Sequence, residues 1–182
     1  QRAYNSGEMY SMISYITRAN YSYLGKYLFT ASFRTDGSSK FGSQTRWGYF
    51  PSFAIGWNIA EESFFPENSK VELLKLRASW GQTGNEKMPY NKRFTLIYTG
   101  QNAVFGSDET LYAGSSLGSA ANPDLRWETT TQTDIGFEIG LFGNKIAAEL
   151  DVFDRKTQNI LVEVPVPAYA GNGAFVYIYT NA

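Results

Sequence analysis

The 182-residue chain contains no cysteine and no histidine. Without cysteine there is no disulfide framework and no thiolate metal site. Without histidine the commonest general base and the commonest metal ligand are gone, and so is every Ser-His-Asp or Cys-His arrangement. Only carboxylate chemistry stays open, and no two carboxylates are spaced as an acid/base pair. No catalytic residue, metal site or cofactor is therefore expected. Charge of one sign is also lacking, with 16 Lys+Arg against 17 Asp+Glu and no basic run. That balance gives no reason to expect a nucleic-acid partner. Phosphate-loop signatures (GxxxxGK[ST], GxGxxG) do not occur. No stretch approaches the ~18 consecutive apolar residues of a membrane helix. No repeat of 20–50 residues is present, which excludes solenoids and propellers. The polar start, Gln1 to Gly7, does not read as a signal peptide. If the protein is exported, the chain is expected to be an internal part of a longer one.

What is present is aromatic bulk, 16% of residues, with only 18% charged. These residues alternate with period two. Tyr27, Phe29, Ala31 and Phe33 oppose Leu28, Thr30, Ser32, Arg34 and Asp36. Phe53, Ile55, Trp57 and Ile59 oppose Ser52, Ala54, Gly56 and Asn58. Leu74, Leu76, Ala78 and Trp80 oppose Lys75, Arg77, Ser79 and Gly81. The same pattern runs through the later part of Leu125 to Leu141 and through Ile146 to Asp154, and less cleanly through Met12 to Ser22. This predicts an all-β chain of about six strands, with a seventh beginning near Phe175. The runs approach the ~9–11 residues that cross a bilayer when tilted. Alternation alone also suits a soluble sheet with one wet face.

The connections separate these readings. Leu24-Gly25 and Gly143-Asn144 are tight turn signals, and Ala60 to Lys70 is of moderate length with room for a helical turn. The connections Asp36 to Thr45, Asn85 to Pro123 and Val162 to Ala174 are longer. Counted up and down, all the long ones fall at one end, as in outer-membrane barrels. About six strands cannot close a membrane barrel, whose smallest examples have ~8. The prediction is therefore an antiparallel transmembrane β-barrel segment of a larger barrel.

Five segments carry a family resemblance: KYLFTASFRTDGSSKFG (26–42), RWGYFPS (46–52) followed by Gly56-Trp57, LKLRASWGQTGN (74–85), NPDLRWETTTQTDIG (122–136) and DVFDRKTQNIL (151–161). In this order and spacing the chain resembles the SusC/RagA family of TonB-dependent outer-membrane transporters of the Bacteroidetes. The resemblance implies a ~22-stranded barrel around a plug, with this chain in its C-terminal half. It implies uptake of an oligosaccharide or peptide, a SusD-like surface lipoprotein as lid, and energy from the TonB complex acting through the plug. The plug and signal peptide are expected to lie outside this chain. Two alternatives stay open: a siderophore or vitamin receptor of the same architecture, and a soluble β-sandwich module binding carbohydrate through Tyr-rich loops.

Candidate residues follow from the two faces. Arg34, Lys75, Arg77, Glu128, Asp134 and Glu138 fall on the polar face and are candidates to line a lumen. They would either line a substrate path or form a paired network that keeps the lumen wet and rigid. Tyr90, Tyr98, Phe105 and Tyr112 lie in the longest connection and are candidate contacts to substrate or partner, or simply loop packing. Trp47, Tyr49, Trp57, Trp80 and Trp127 are expected to form membrane-interface girdles. Asp36-Gly37-Ser38-Ser39 reads as a turn bonded to its own backbone. Asp108-Glu109 lacks the ~6–8 oxygens of a Ca²⁺ site.

Overall fold

Two positive-φ residues in a row, Leu24 (51°) and Gly25 (69°), reverse the chain between its first two strands. Lys26 N–H donates to Tyr23 O across this turn at 3.0 Å. Paired positive φ values match the right-handed twist of the flanking strands. The computed structural model describes residues 9–66, 70–100, 102–107, 109–167 and 176–182, without the side chains of Tyr90, Asn91 and Phe105.

The main sheet is antiparallel, with β1 (Met12–Tyr23), β2 (Tyr27–Ser38), β3 (Trp47–Asn58), β4 (Val71–Asn85), β9 (Glu128–Leu141) and β10 (Ile146–Gln158) in that order. Each strand has 12 to 15 residues, well beyond the ~5–6 of globular strands. Between β4 and β9 the chain forms four short strands: β5 (Leu96–Thr99), β6 (Ala103–Phe105), β7 (Thr110–Tyr112) and β8 (Ser115–Ser119). β5 pairs with β8, and β6 with β7. After β10, β11 (Leu161–Pro165) pairs with β12 (Tyr177–Asn181). The moderate connection holds a 3-10 turn at Ile59–Glu61.

Several boundaries differ from the alternation. β3 begins at Trp47 rather than Ser52, and β4 extends from Val71 to Asn85. The added residues Phe50 and Gly84 break the apolar/polar code but keep an extended backbone. Asp36, Gly37 and Ser38 are the end of β2 and not a turn. Asn85 to Pro123 is not plain loop, and Val162 to Pro165 belong to a strand. Phe175 lies outside the described residues.

Register carries one face across all six strands. The row Tyr21–Phe29–Ile55–Ala78–Ile135–Val152 is apolar, and the row Asn20–Thr30–Ala54–Ser79–Asp134–Phe153 beside it is mostly polar. The apolar face is uncovered: Ile135, Leu150 and Val152 are 61%, 66% and 67% exposed. β3 and β4 pair only from Ser52↔Gly81 to Asn58↔Lys75. Pairing stops beside Pro51, which has no N–H to give a ladder. Above that point the ring of Phe50 lies against Gly84 and Gly48, and a Cβ at either glycine would collide with it.

The buried apolar residues gather at the long-connection end. Phe41, Phe50, Met88, Leu125 and Trp127 form one cluster, with Leu161 and Tyr179 against it. A sandwich needs a second sheet over the apolar face, and none covers it among the described residues.

Candidate functional site: a charged wall and a braced loop end

On β4, the side chains of Lys75, Arg77 and Ser79 fall on one face because successive strand residues alternate. Register sets Lys75 opposite Glu138, Arg77 opposite Gly136 and Ser79 opposite Asp134. On β10, Glu149 and Asp151 complete the group. Arg77 stands at its centre. Its Nη1 lies 3.1 Å from Glu138 Oε1, and its Nη2 donates to Asp151 Oδ1 at 2.7 Å and also to Glu149. Lys75 Nζ reaches Glu138 Oε1 at 3.4 Å. Gly136 leaves the room: a Cβ there would meet the side chains of Arg77 and Asp151.

Higher on this face Arg34 donates to Asp36 at 2.8 Å, with Asp36 buried. The Ser32 and Ser52 hydroxyls share a hydrogen bond of 2.6 Å. Arg18, Arg34, Ser52, Ser79 and Asn85 border a concavity of about 740 Å³. Glu128 is placed differently. It accepts from Asn85 Nδ2 at 2.9 Å and from Leu161 N–H at 3.1 Å, so it bridges β4 to β11 at the rim. Of the six sequence-selected polar residues, the structure brings Lys75, Arg77 and Glu138 into one ion-pair cluster. Asp134 is on the same face beside it, and Arg34 and Glu128 stand apart.

At the long-connection end, polar bonds tie separate segments to the buried cluster. Thr45 Oγ1 donates to Leu125 O at 2.6 Å, Trp127 Nε1 to Arg46 O at 3.0 Å, and Arg93 Nη1 to Phe41 O at 3.1 Å. Asn122 Nδ2 donates to Tyr179 O at 2.9 Å, and Lys92 pairs with Glu163 at 3.1 Å. The connection 39–46 is thus tied to the connection between β4 and β9, which is itself braced against β11 and β12. Tyr98 and Tyr112 are exposed above this end. Tyr90 and Phe105 have side chains outside the described residues.

The aromatic expectations divide. Trp47, Tyr49, Trp57 and Trp80 lie on the apolar face. Trp47 stacks on Tyr15, Tyr49 on Phe33 and Trp80 on Phe53, each with ring centroids 6.2 Å apart. Trp127 does not join them. It precedes β9, is 6% exposed, and packs on Phe41 and Phe50 at 5.0 and 5.6 Å. Its indole N–H needs an acceptor once buried, and Arg46 O supplies it. The cluster was missed because its members come from four separate segments. Phe50, an aromatic at a polar-face position, was the one local signal.

Residues 6–182 match the family described as TonB dependent receptor-like, beta-barrel. The chain belongs to this family. It is 38% identical over 163 residues to TonB-dependent receptor P3 of Formosa agariphila, covering 88% of this chain and 16% of that protein. To TonB-dependent receptor SusC of Bacteroides thetaiotaomicron it is 38% identical over 159 residues, covering 86% of this chain and 16% of that protein. The solved structure of the RagAB peptide transporter superposes with a TM-score of 0.78 at 31% identity, over 94% of this chain and 18% of that one. The chain thus spans about a sixth of the length of the curated relatives it matches. The six-stranded sheet is a portion of a TonB-dependent barrel in the outer membrane, and its relatives are named as receptors and transporters rather than enzymes.

The short-turn end of this barrel segment has its own polar knot. Glu62, just after the 3-10 turn, accepts from Tyr27 Oη at 2.7 Å, Trp57 Nε1 at 3.0 Å and Lys26 Nζ at 3.1 Å. Hydrogen bonds from Tyr27, Trp57 and Lys26 hold its carboxyl down at about 2. Asn58 Nδ2 donates to Gly25 O at 2.6 Å beside it. The β1–β2 turn and the β3–β4 connection are thereby held together.

Proposed function

We propose that this chain forms wall, lumen lining and surface loops of a SusC/RagA-type nutrient importer. In this reading the parent protein takes up an oligosaccharide or peptide, is capped by a SusD-like surface lipoprotein, and is driven by TonB through its plug. The observation that carries it is the two-faced sheet: a continuous aromatic and aliphatic face on one side, an ion-paired face on the other. The apolar face meets lipid, with Trp47, Tyr49, Trp57 and Trp80 as its aromatic anchors. Arg34, Lys75, Arg77, Asp134 and Glu138 line the lumen. Two cations, Lys75 and Arg77, stand among four carboxylates, Asp134, Glu138, Glu149 and Asp151. That excess keeps the wall hydrated and rigid. Further strands join β1 and β10, because an unpaired edge in hydrocarbon costs several kcal/mol per orphaned group. No residue is assigned a catalytic role.

Likeness to the RagAB peptide transporter supports peptide as a cargo, and the relative named SusC supports the receptor type. The braced loop end supports it too, because a lid needs a firm rim. The test is affinity capture of the full-length protein from detergent-solubilised outer membranes, with mass spectrometry of what accompanies it. A stoichiometric SusD-like lipoprotein is expected. Capture without any such lipoprotein would move the reading to a siderophore- or vitamin-type receptor.

A further inference from the structure

The apolar face has a concavity at its short-turn end, although the outside of a closed barrel is convex. Its volume is about 600 Å³. Ala78 forms the floor, because its small side chain stands between Ile55 and Ile135 in one cross-strand row. Phe29 and Leu76 add to the walls. Tyr27 and Trp57, opposite each other in register, close the lower end. The same two aromatics donate their polar atoms to Glu62, whose second oxygen takes Lys26 Nζ. An apolar groove therefore ends at a cation and an anion 3.1 Å apart.

Neither charge is used up. The ammonium of Lys26 has three donors and spends one on Glu62; the Glu62 carboxylate has about four acceptor positions and fills three. Both remain partly open, with side chains 22% and 11% exposed. A ligand that matches this arrangement has an alkyl chain joined to a head carrying a phosphate and a protonated amine. We infer that the groove and the Lys26–Glu62 pair form a binding site for a zwitterionic phospholipid with an ethanolamine head. The phosphate meets Lys26, the ammonium meets Glu62, and one acyl chain lies along Ala78 between Ile55 and Ile135. Short turns face the periplasm in such barrels, so the lipid comes from the periplasmic leaflet. This inference rests on the reading that the apolar face meets lipid.

The test uses the purified full-length protein in detergent, titrated with phosphatidylethanolamine or phosphatidylglycerol of the same chains and read by native mass spectrometry. Phosphatidylethanolamine is expected to bind about tenfold more tightly, the effect of one charge-assisted hydrogen bond. Glu62→Gln removes that preference, because the lipid ammonium loses its carboxylate partner and the freed Lys26 serves either phosphate equally. Ala78→Trp fills the floor and lowers retention of both lipids at this site; Ala78→Leu does so to a smaller degree. Equal binding of the two lipids to the wild-type protein overturns the headgroup assignment. Undiminished retention in both Ala78 variants overturns the groove. A protein that binds neither lipid and stays monomeric without detergent would instead overturn the lipid-facing reading beneath it.

Discussion

Phe41 and Leu125 are fully buried at the loop end, whereas Ile55 and Ile135, on interior strands of the sheet, are 58% and 61% exposed. Both sets are apolar, although Phe41 and Leu125 sit in polar segments, SSKFGSQ and NPDLRW. The loop residues find partners within the chain: Phe50, Met88 and Trp127 close over them. The sheet residues find none among the described residues; in the proposed reading the bilayer covers their face. One polypeptide thus uses two solvents. The loop end is stabilised by ordinary close packing. The wall is stabilised by its backbone ladder, its Arg77-centred ion pairs and the surrounding hydrocarbon. Surface burial measured on the chain alone therefore understates the stability of the wall and describes the loop end fairly.

The largest effect that separates these regions is expected from Trp127→Ala. It opens the cluster, at a cost of about 3–5 kcal/mol, and leaves Arg46 O without its donor. Hydrogen exchange on the full-length protein should show protection lost in 39–46 and 120–127 and kept in the middle of β9 and β10. Equal loss in the strands would show that the two regions are one cooperative unit.

Ile135→Arg probes the other solvent. A cation on the lipid face costs about 2–4 kcal/mol at the midplane, read from folding equilibria in lipid vesicles. Asp134→Arg, one residue away on the wet face, should cost far less. Similar costs for the two would contradict the assignment of faces.

Gly84→Val sharpens the border between the regions. The added side chain meets the Phe50 ring where β3 and β4 part, and overpacking of this kind costs about 1–3 kcal/mol. A lower thermal midpoint is expected, recovered by Phe50→Ala in the same chain.

The smallest effect is that of pH on the short-turn knot. The Glu62 carboxyl titrates at about 2 against an ordinary 4.5. A depressed carboxyl contributes stability that is complete above its unfolded value and is lost as pH falls through its folded value. Wild-type protein should therefore lose thermal stability relative to Glu62→Gln between about pH 4.5 and 2, and the difference should be constant from pH 5 to 7. Parallel melting curves across the acid range would show that Glu62 does not hold the knot.

Much of the wall was legible because strand geometry is local. Phe29, Ile55, Leu76 and Ile135 announce one face through their spacing alone. Leu24-Gly25 and Gly143-Asn144 announce turns, since few residue pairs accept positive φ. Leu24 (51°) and Asn144 (57°) both adopt it. The loop end was not legible in this way. Trp127 looks like a girdle residue because it precedes an alternating strand, and only its neighbours reveal that it is buried. Phe50 violates the alternation, yet nothing nearby in sequence identifies Gly84 as the residue that makes room for it.

The short strands β5 to β8 and β11 and the ends of β3 and β4 escaped the alternation, but the sequence by itself determined the cores of the six long strands, which of their side chains share a face, and which connections are short. These follow from steric preferences and a two-residue period that need no distant partner. It also excluded thiolate and imidazole chemistry, simply by lacking the atoms. Only the tertiary structure decided that β4 pairs with β9 across the 42 residues between Asn85 and Glu128, which places Arg77 among three carboxylates. It likewise decided that Phe41, Phe50, Met88, Leu125 and Trp127 meet. Such choices depend on contacts between segments far apart in the chain, and no local period encodes them.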